Sequence, residues 1–421
     1  MTENLWWASA PRLRLDTVAP VGHSTDVVVI GGGFSGLACA LRLAEQGTQV
    51  SLFEAEQIGH GGSGRNVGLV NALLWLEPNE VLARLGPRKG GKLNAFLAQG
   101  PDRVFELIER HRIECEPTRT GTLHCAHRPG SLVELARRQR QYAELGVEAR
   151  LLDADELEAK TGSSRYSGGL HLSTAGTIEP LAYARGLARA AMRAGVKIYQ
   201  GARVDAVTRR DSAWQLDVNG ESVRCNALVV ATNAYHSWIA GCPAPAFTPV
   251  HYFQVATAVL SDAALRNILP ERQGCWDTAP VMSSWRRDAA GRLILGAVGK
   301  LGGWQGEIHT RWARRQLHLL YPELDFPGFE HAWYGRIAYT RDHLPHIVEI
   351  GPGAYSLYGY SGRGICPGTL FGSALADFLL SGDADTLPVP LEPTRREAFN
   401  RIKGLGYDLG AAALHGAELC I

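Results

Sequence analysis

Residues 25–54 read TDVVVIGGGFSGLACALRLAEQGTQVSLFE and contain the strongest structural signal in the chain. The β-branched run at 25–30 predicts a buried parallel strand. Apolar residues then recur at helical spacing over 37–44 and stop before Gly47, which predicts a helix with a glycine at its C-terminus. A second strand is predicted at 49–53. The segment therefore predicts one strand–turn–helix–strand unit of about 30 residues.

Three glycines between the first strand and the helix follow the spacing G-x-G-x-x-G. Gly31 permits the tight turn, Gly33 lets the backbone approach a pyrophosphate, and Gly36 lets the helix pack closely on the strand. The helix N-terminus offers free N–H groups and a partial positive charge to phosphates. Glu54 ends the second strand, where a carboxylate accepts hydrogen bonds from ribose hydroxyls and disfavours a 2′-phosphate. The unit predicts a dinucleotide site, and by itself it does not distinguish FAD from NAD.

The composition excludes several classes of protein. The chain has 421 residues, of which 45% are hydrophobic and 20% are charged, so it is not an intrinsically disordered protein. Lysine and arginine number 43 and aspartate and glutamate number 42. This balance disfavours a dedicated nucleic-acid binder, because phosphate contacts need surplus basic residues. The 48 glycines have no collagen period, so their surplus needs a local explanation.

Eight scattered cysteines form no CxxC pair and no cluster with zinc-ligand spacing, so we expect reduced structural thiols and no metal site. The N-terminus lacks the long apolar region of a signal peptide. No run approaches the roughly 18 apolar residues that a membrane-spanning helix needs. We therefore expect a soluble, cytoplasmic protein with no transmembrane segment and no nucleic-acid partner.

Further segments along the chain match one known family in order. They are HGGSGRNVG at 60–68, GARV at 201–204 with ALVVATN at 227–233, WYGR at 333–336 with DHLP at 342–345, and GYSGRGI at 359–365. Together with residues 31–54, they resemble the D-amino-acid-oxidase-like superfamily of FAD-dependent oxidoreductases over about 25–380. The SGRN form of the second glycine loop and the GYSGRGICPGT ending resemble the branch that contains L-pipecolate oxidases and γ-glutamylputrescine oxidases.

The resemblance implies an α/β fold with two domains. A discontinuous Rossmann-like FAD-binding domain of the glutathione-reductase type receives an inserted α+β substrate domain built on a mixed sheet. The predicted ranges are an N-terminal extension at 1–25, FAD-binding segments at 26–80, 150–240 and 330–385, substrate-domain segments at 81–149 and 241–329, and a C-terminal tail at 386–421.

The glycine fingerprint and the resemblance together predict the residues that bind FAD. They are Gly31, Gly33, Phe34, Ser35, Gly36, Glu54, Ser63, Gly64, Arg65, Asn66, Val67, Gly68, Leu69, Val204, Ala231, Thr232, Gly335, Gly362, Arg363, Gly364 and Ile365.

Three departures from the family pattern bear on chemistry. Relatives of sarcosine oxidase attach FAD through a cysteine, but no cysteine lies between Cys275 and Cys366, which predicts noncovalent FAD. Where those relatives place a carboxylate-binding lysine, this chain has Cys366. Glycine-oxidase relatives use an arginine in a G-x-R-P pattern, whereas Arg336 directly follows Gly335. Because neighbouring residues of a strand point to opposite faces, a shift of one residue moves the arginine to the other face. Neither carboxylate-binding residue of the relatives therefore has a direct equivalent in this chain.

Five residues are candidates for the catalytic site. Arg65 is placed to stabilise negative charge on reduced flavin or, alternatively, to brace the glycine loop. Arg336 binds a substrate carboxylate or orders a strand end. Tyr252 and Gln254 alternate on one predicted strand, and Tyr360 is a candidate aromatic wall of the pocket. Each aromatic residue has the alternative role of core packing.

The resemblance implies oxidation of a C–N bond in an amine or amino acid, with hydride transfer to flavin N5 and an imine product. Positioning and desolvation replace an obligatory general base, which agrees with the absence of a nucleophile–base pair in the sequence. A secondary cyclic amino acid such as L-pipecolate is the favoured substrate, and O2 the favoured acceptor, giving H2O2. The alternatives are a γ-glutamylputrescine-type amine oxidase, a dehydrogenase that donates electrons to a quinone or protein, a protein with structural flavin, and an NAD-dependent dehydrogenase.

Overall fold

A computed structural model describes residues 4–15, 23–395, 397 and 399–420 of the chain. Parts of the predicted N-terminal extension and C-terminal tail therefore lie outside the described residues. Two large β-sheets carry the described fold, and helices cover their faces.

Eleven α-helices are assigned within these residues. They are α1 (Leu5–Ser9), α2 (Phe34–Glu45), α3 (Pro78–Ala98), α4 (Gly100–His111), α5 (Ser131–Glu144), α6 (Ala154–Thr161), α7 (Pro180–Arg193), α8 (Asp262–Leu265), α9 (Gly303–Leu320), α10 (Ile365–Ser381) and α11 (Asn400–Glu418).

The same residues form nineteen strands. They are β1 (His23–Ile30), β2 (Val50–Glu54), β3 (Leu69–Val70), β4 (Thr122–Cys125), β5 (Ala149–Leu152), β6 (Gly169–Leu172), β7 (Gly176–Thr177), β8 (Lys197–Gln200), β9 (Val204–Arg210), β10 (Ala213–Val218), β11 (Glu221–Val230), β12 (Thr248–Thr257), β13 (Gly274–Asp277), β14 (Ser283–Arg287), β15 (Leu293–Val298), β16 (Phe329–Tyr339), β17 (His346–Gly351), β18 (Ala354–Tyr358) and β19 (Leu391–Pro393).

The first sheet has nine strands, and its main order is β19-β17-β18-β11-β1-β2-β8. β1 pairs in parallel with β2 on one side and with β11 on the other. A parallel pair requires a crossover connection, and α2 supplies it between β1 and β2, as the sequence predicts. β9 and β10 extend from β11 as antiparallel strands. The turn between β10 and β11 has Asn219 and Gly220 at positive φ, which is the geometry favoured for a two-residue hairpin.

The second sheet has eight strands in the order β16-β12-β15-β14-β13-β4-β6-β5 and mixes parallel and antiparallel pairs. β12 lies between β16 and β15. Its residue Phe253 packs on Trp312 of α9, so this side of the strand belongs to a core cluster. Neighbouring residues alternate across a strand, so Tyr252 and Gln254 face the other side, toward the first sheet. The predicted α/β fold with a mixed sheet is confirmed.

Sheet membership differs from the predicted domain ranges at three strands. The predicted FAD-binding segments include 150–240 and 330–385, but β5, β6 and β16 pair within the second sheet. The difference arises because residue patterns identify strands without giving their partners. We propose that the domain boundaries follow the sheets. The chain passes from the second sheet to the first near β7, and again after β16.

Two helices outside the predicted domains pack on the rest of the chain. The C-terminal region predicted as a tail contains α11, which packs on β12 and α9. The N-terminal helix α1 inserts its buried residues Leu5 and Trp6 into the main hydrophobic core. No helix within the described residues is long and apolar enough to cross a membrane.

Candidate functional site

A cavity of about 1100 Å³ separates the two sheets and receives residues from both. At one end it is lined by Glu54, Arg203 and Val204, where β2 ends and β9 begins. At the other end it reaches Tyr252 on β12 and Trp276 on β13. Ligand pockets usually measure roughly 300–1,000 Å³, so this cavity has room for more than one small ligand.

The first glycine loop needs its glycines for three different steric reasons. Gly31 has φ +110°, and a Cβ there would lie 2.9 Å from the carbonyl oxygen of Ala231. A Cβ on Gly33 would meet only the Ser63 side chain, at 2.9 Å from Oγ. A Cβ on Gly36 would overlap the carbonyl oxygen of Gly31. The loop therefore places bare backbone at the N-terminus of α2, where an anion is stabilised.

Glu54 lies at the end of β2, as predicted, beside this loop. Its Oε2 accepts a hydrogen bond of 2.7 Å from the amide of Gly32, and its Oε1 accepts one of 3.0 Å from the amide of Glu56. Burial raises the pKa of Glu54 despite these hydrogen bonds. The carboxylate is thus fixed in the cavity wall, where ribose hydroxyls are its natural donors.

The second glycine loop follows the end of β2 and touches the first. The Oγ atom of Ser63 accepts a hydrogen bond of 3.1 Å from the amide of Phe34, which joins the loop to α2. Arg65 lines the cavity and also braces the backbone. Its Nε–H donates to the carbonyl of His60 at 2.8 Å, and its Nη1 donates to the carbonyl of Tyr334 at 3.3 Å. The bracing alternative for Arg65 therefore has direct geometric support.

The third glycine segment, residues 359–364, precedes α10 and forms part of the cavity wall on the side of the first sheet. The hydroxyl of Tyr360 hydrogen-bonds the Ser35 hydroxyl at 2.7 Å, and burial raises the pKa of Tyr360. The guanidinium of Arg363 lies between the rings of Trp75 and Trp276, at 4.8 and 5.4 Å from their centroids. Its Nη1 donates to a carbonyl at 2.7 Å, while its Nε is buried without a hydrogen-bond partner among the described residues.

The predicted substrate-side residues converge on one wall. Tyr252 pairs with Gly335 and Gln254 pairs with Trp333 across β12 and β16. The Tyr252 hydroxyl is already bonded to Ser284 Oγ at 2.9 Å and to a backbone carbonyl. Gln254 is 1% exposed, and its Oε1 has no hydrogen-bond partner among the described residues.

Arg336 lies at the rim rather than in the interior. It is exposed, and its guanidinium stacks on the Tyr235 ring at 4.5 Å, while its amide donates to the Tyr235 hydroxyl. It lines both the main cavity and an adjoining cleft of about 510 Å³.

Of the predicted site residues, all line the cavity except three glycines. Gly36, Gly64 and Gly68 lie behind the wall, where a Cβ would overlap the carbonyl oxygens of Gly31, Gly59 and Ile178. Their contribution is close backbone packing, which holds the two loops in register.

Several lining residues were not predicted. They are Asn71, Trp75, Trp276, Met282, Ser284, Tyr339, Lys403, Gly406, Tyr407, Gly410 and Leu414. No local motif marks them, because they come from strands and helices that meet only in the folded chain. Among the described residues, the carboxylates and histidine in the cavity wall are Glu54, Glu56 and His60.

Residues 26–378 match the protein family described as DAO, FAD dependent oxidoreductase. The chain belongs to this family of FAD-dependent oxidoreductases. It is 30% identical over 425 residues to gamma-glutamylputrescine oxidoreductase of Escherichia coli (strain K12), covering 97% of this chain and 98% of the relative. It is 28% identical to the probable oxidoreductase OrdL of Rhizobium meliloti (strain 1021), covering 89% and 88%.

A solved structure shares the fold of this oxidoreductase. Glycine oxidase from Geobacillus kaustophilus superposes with a TM-score of 0.70 at 22% identity, covering 85% of this chain and 95% of that one. At this identity the likeness shows the fold alone.

The cavity wall fits the FAD cofactor of the family. The bare glycine backbone at the α2 N-terminus suits a pyrophosphate, and the fixed Glu54 carboxylate suits an adenosine ribose. The second glycine loop, the segment from Gly362 to Ile365 and Gln254 all line this same cavity. The prediction that FAD is the cofactor is confirmed.

Proposed function

We propose that this oxidoreductase oxidises a C–N bond of an amine or amino acid, with an elongated amine related to γ-glutamylputrescine as the first candidate substrate. The observation that carries the proposal is the side-chain amide of Gln254, which lines the cavity beside the aromatic residues Tyr252 and Trp276. Rotation of this amide brings its oxygen to the cavity, where it accepts an N–H from a bound ligand. An amine nitrogen is a donor of this kind.

The composition of the wall explains how the reaction is assisted. FAD, when bound, would accept the hydride, which carries both electrons, from the substrate carbon. Gln254 holds the substrate nitrogen, while the aromatic rings of Tyr252, Trp276 and Tyr360 exclude water around the C–H bond.

Proton transfer needs no dedicated side chain in this arrangement. Glu54 and Glu56 lie at the ribose end of the cavity, His60 packs between two aromatic rings, and the Tyr252 hydroxyl is engaged by Ser284. The substrate therefore reacts as its neutral amine. It loses a hydride from carbon and a proton from nitrogen, giving an imine that water hydrolyses to a carbonyl compound and an amine.

The full-length relationship to gamma-glutamylputrescine oxidoreductase supports the elongated substrate. A second candidate, a cyclic amino acid such as L-pipecolate, is favoured by Arg363. This guanidinium lines the cavity beside Trp75 and Trp276, where a carboxylate would pair with its positive charge.

We also propose that FAD is held noncovalently. Cys366 is the cysteine that lines the cavity among the described residues, and burial raises its pKa, so the nucleophilic thiolate is disfavoured. Precipitation of the holoenzyme with acid should leave all flavin in the supernatant. Flavin retained by the washed precipitate would contradict this attachment.

The main test is anaerobic mixing of the holoenzyme with γ-glutamylputrescine, putrescine, L-pipecolate, sarcosine and glycine. The oxidised flavin absorbance should fall fastest with γ-glutamylputrescine, and hydrogen peroxide should appear when air is admitted. Bleaching without peroxide would identify a dehydrogenase that uses another acceptor. A flavin that no amine or amino acid bleaches, but that dithionite reduces normally, would overturn the proposal.

A further inference from the structure

Four consecutive carbonyl groups of the second glycine loop are each bound by a buried side chain from another element. The donors come from Asn4 at the N-cap of α1, from Trp6 within α1, and from β16 and β14, so these four peptides are held from three elements. The hydrogen bonds are Asn4 Nδ2 to Gly64 O at 2.8 Å, Trp333 Nε1 to Arg65 O at 3.0 Å, Trp6 Nε1 to Asn66 O at 2.9 Å and Arg286 Nη1 to Val67 O at 3.3 Å.

The orientation of these carbonyls determines where the amides point. In a planar trans peptide, the C=O of one residue and the N–H of the next point in opposite directions. The Asn66 amide therefore points away from the side on which the Arg65 carbonyl is bound, and the Val67 amide points away from the side on which the Asn66 carbonyl is bound. No acceptor is found for either amide within the described residues, although the neighbouring amides of Arg65 and Gly68 are bonded.

Asn66 and Val67 both line the cavity. Neither Trp6 nor Trp333 lines it, so the amides on the opposite side of the two peptides point toward the cofactor site. The carbonyls behind them are bound by Trp333 and Trp6 respectively. These two indoles also contact each other edge to face, with ring centroids 5.8 Å apart. Trp6 is 1% exposed and Trp333 is 3% exposed. A single buried tryptophan pair thus fixes both peptide planes.

We propose that Trp6 and Trp333 are positioning residues for the flavin, acting through the amides of Asn66 and Val67. Fixed N–H dipoles stabilise negative charge that reduction places on a bound cofactor, and they need no reorganisation when it appears. Trp6 lies outside residues 26–378, so the family match itself assigns it no role. The inference rests on FAD as the cofactor and is independent of which substrate is oxidised.

The test compares Trp6→Phe and Trp333→Phe with Trp7→Phe as the matched control. Phenylalanine keeps a buried ring and removes the indole N–H. Trp7 is the next residue of α1, and its ring packs on His60 and Arg185 without a hydrogen bond to the loop. The readouts are the midpoint potential and the visible spectrum of the FAD-loaded protein, both measured without substrate.

We expect each of the two variants to lower the equilibrium ratio of reduced to oxidised flavin about tenfold, which is about 30 mV for a two-electron couple. The control should keep the wild-type potential. Weaker FAD binding with an unchanged potential in the fully loaded variants would show a merely structural role and overturn the proposal.

A measurement on the wild-type protein covers the case in which neither variant folds. Selective ¹⁵N labelling of asparagine or valine reports the amides of Asn66 and Val67 by NMR. Their resonances should shift between the oxidised and the dithionite-reduced holoenzyme more than those of Asn219 and Val133, which lie away from the cavity. Equal shifts would overturn the proposal.

Discussion

His309 of α9 and His415 of α11 are joined by a hydrogen bond of 2.7 Å between their Nδ1 atoms, and neither side chain is exposed. One ring donates and the other accepts, so the accepting ring must be neutral and the pair cannot carry two protonated rings. Burial lowers the pKa of His309 to about 4 and that of His415 to about 3. The attachment of the C-terminal helix therefore depends on pH.

The stability of this attachment should fall in acid. A folded-state pKa below the unfolded value of 6.5 means that stability is complete above pH 6.5 and is lost as pH falls toward 4. At pH 4.5 the loss should be on the order of 2 kcal/mol per histidine. Urea unfolding, with amide exchange in α11 as a local probe, measures it between pH 7.5 and 4.5.

The double variant His309→Gln/His415→Gln should be less stable at pH 7.5 and show a shallower decline toward pH 4.5. His318→Gln, an exposed change on the same helix α9, serves as the control. A double variant with the wild-type pH slope would show that other groups cause the decline.

A second histidine has the opposite pH dependence. His346 on β17 lies between Asp342, 3.1 Å from its Nε2, and Glu392 of β19, 3.0 Å from its Nδ1. Burial alone would lower its pKa, but the two carboxylates raise the pKa to about 9.

This raised pKa means that the stabilisation is complete below pH 6.5 and is lost as pH rises through about 9. We expect His346→Asn to cost on the order of 3 kcal/mol in unfolding free energy at pH 6 and much less at pH 9.5. Urea titrations at the two pH values measure this difference. An equal cost at both would show that packing, rather than charge, is lost.

The sequence predicted the cofactor half of the site because its signals are local. The glycines of the first loop and Glu54 occupy fixed positions in one strand–helix–strand unit, so their placement follows from chain geometry. Trp75 and Trp276 carry no such signal. They meet around Arg363 only after α3, β13 and α10 have been brought together.

The C-terminal helix was predicted as a tail for a related reason. Four glycines within α11 oppose a helix, and its Ala-rich stretch lacks a clear apolar stripe. Tertiary contacts override this propensity. Asp408 pairs with His251 of β12 at 3.0 Å, and His415 pairs with His309. Neither contact follows from the residues of α11 alone.

Replacing Gly36 with alanine should weaken FAD binding. The added Cβ would overlap the carbonyl oxygen of Gly31, so the first glycine loop must move away from α2. We expect the dissociation constant for FAD to rise at least tenfold, which corresponds to about 1.4 kcal/mol of binding free energy. Flavin fluorescence during dialysis measures it. Gly130→Ala, at an open position with no atom within 4 Å of the new Cβ, should bind FAD normally.

Removing the amide of Gln254 should slow flavin reduction by amines. Gln254→Leu keeps the side-chain volume and removes the amide that hydrogen-bonds the neutral substrate amine, which is worth about 0.5–1.5 kcal/mol, or roughly 2- to 12-fold. Stopped-flow reduction measures the rate. Tyr252→Phe should cost less, because its hydroxyl is already bonded to Ser284. A larger loss in Tyr252→Phe would reverse the assignment of the two residues.

The exposed end of the cavity is bordered by α11, and two of its glycines face the opening. Gly406 and Gly410 line the cavity, and a Cβ at either position would meet no atom within 4 Å. Glycine in a helix costs about 1 kcal/mol relative to alanine. The open space in front of both residues indicates that the glycines preserve room for a substrate to pass.

Gly410→Leu should therefore obstruct elongated amines more than small ones. We expect kcat/KM for γ-glutamylputrescine to fall at least tenfold and that for sarcosine to change by less than threefold, about 0.6 kcal/mol. Gly416→Leu is the matched control, because it lies on the same helix, has equally open surroundings and does not line the cavity. Equal losses for both substrates in Gly410→Leu would indicate a displaced helix rather than a narrowed entrance, and an unchanged kcat/KM would place the substrate's route elsewhere.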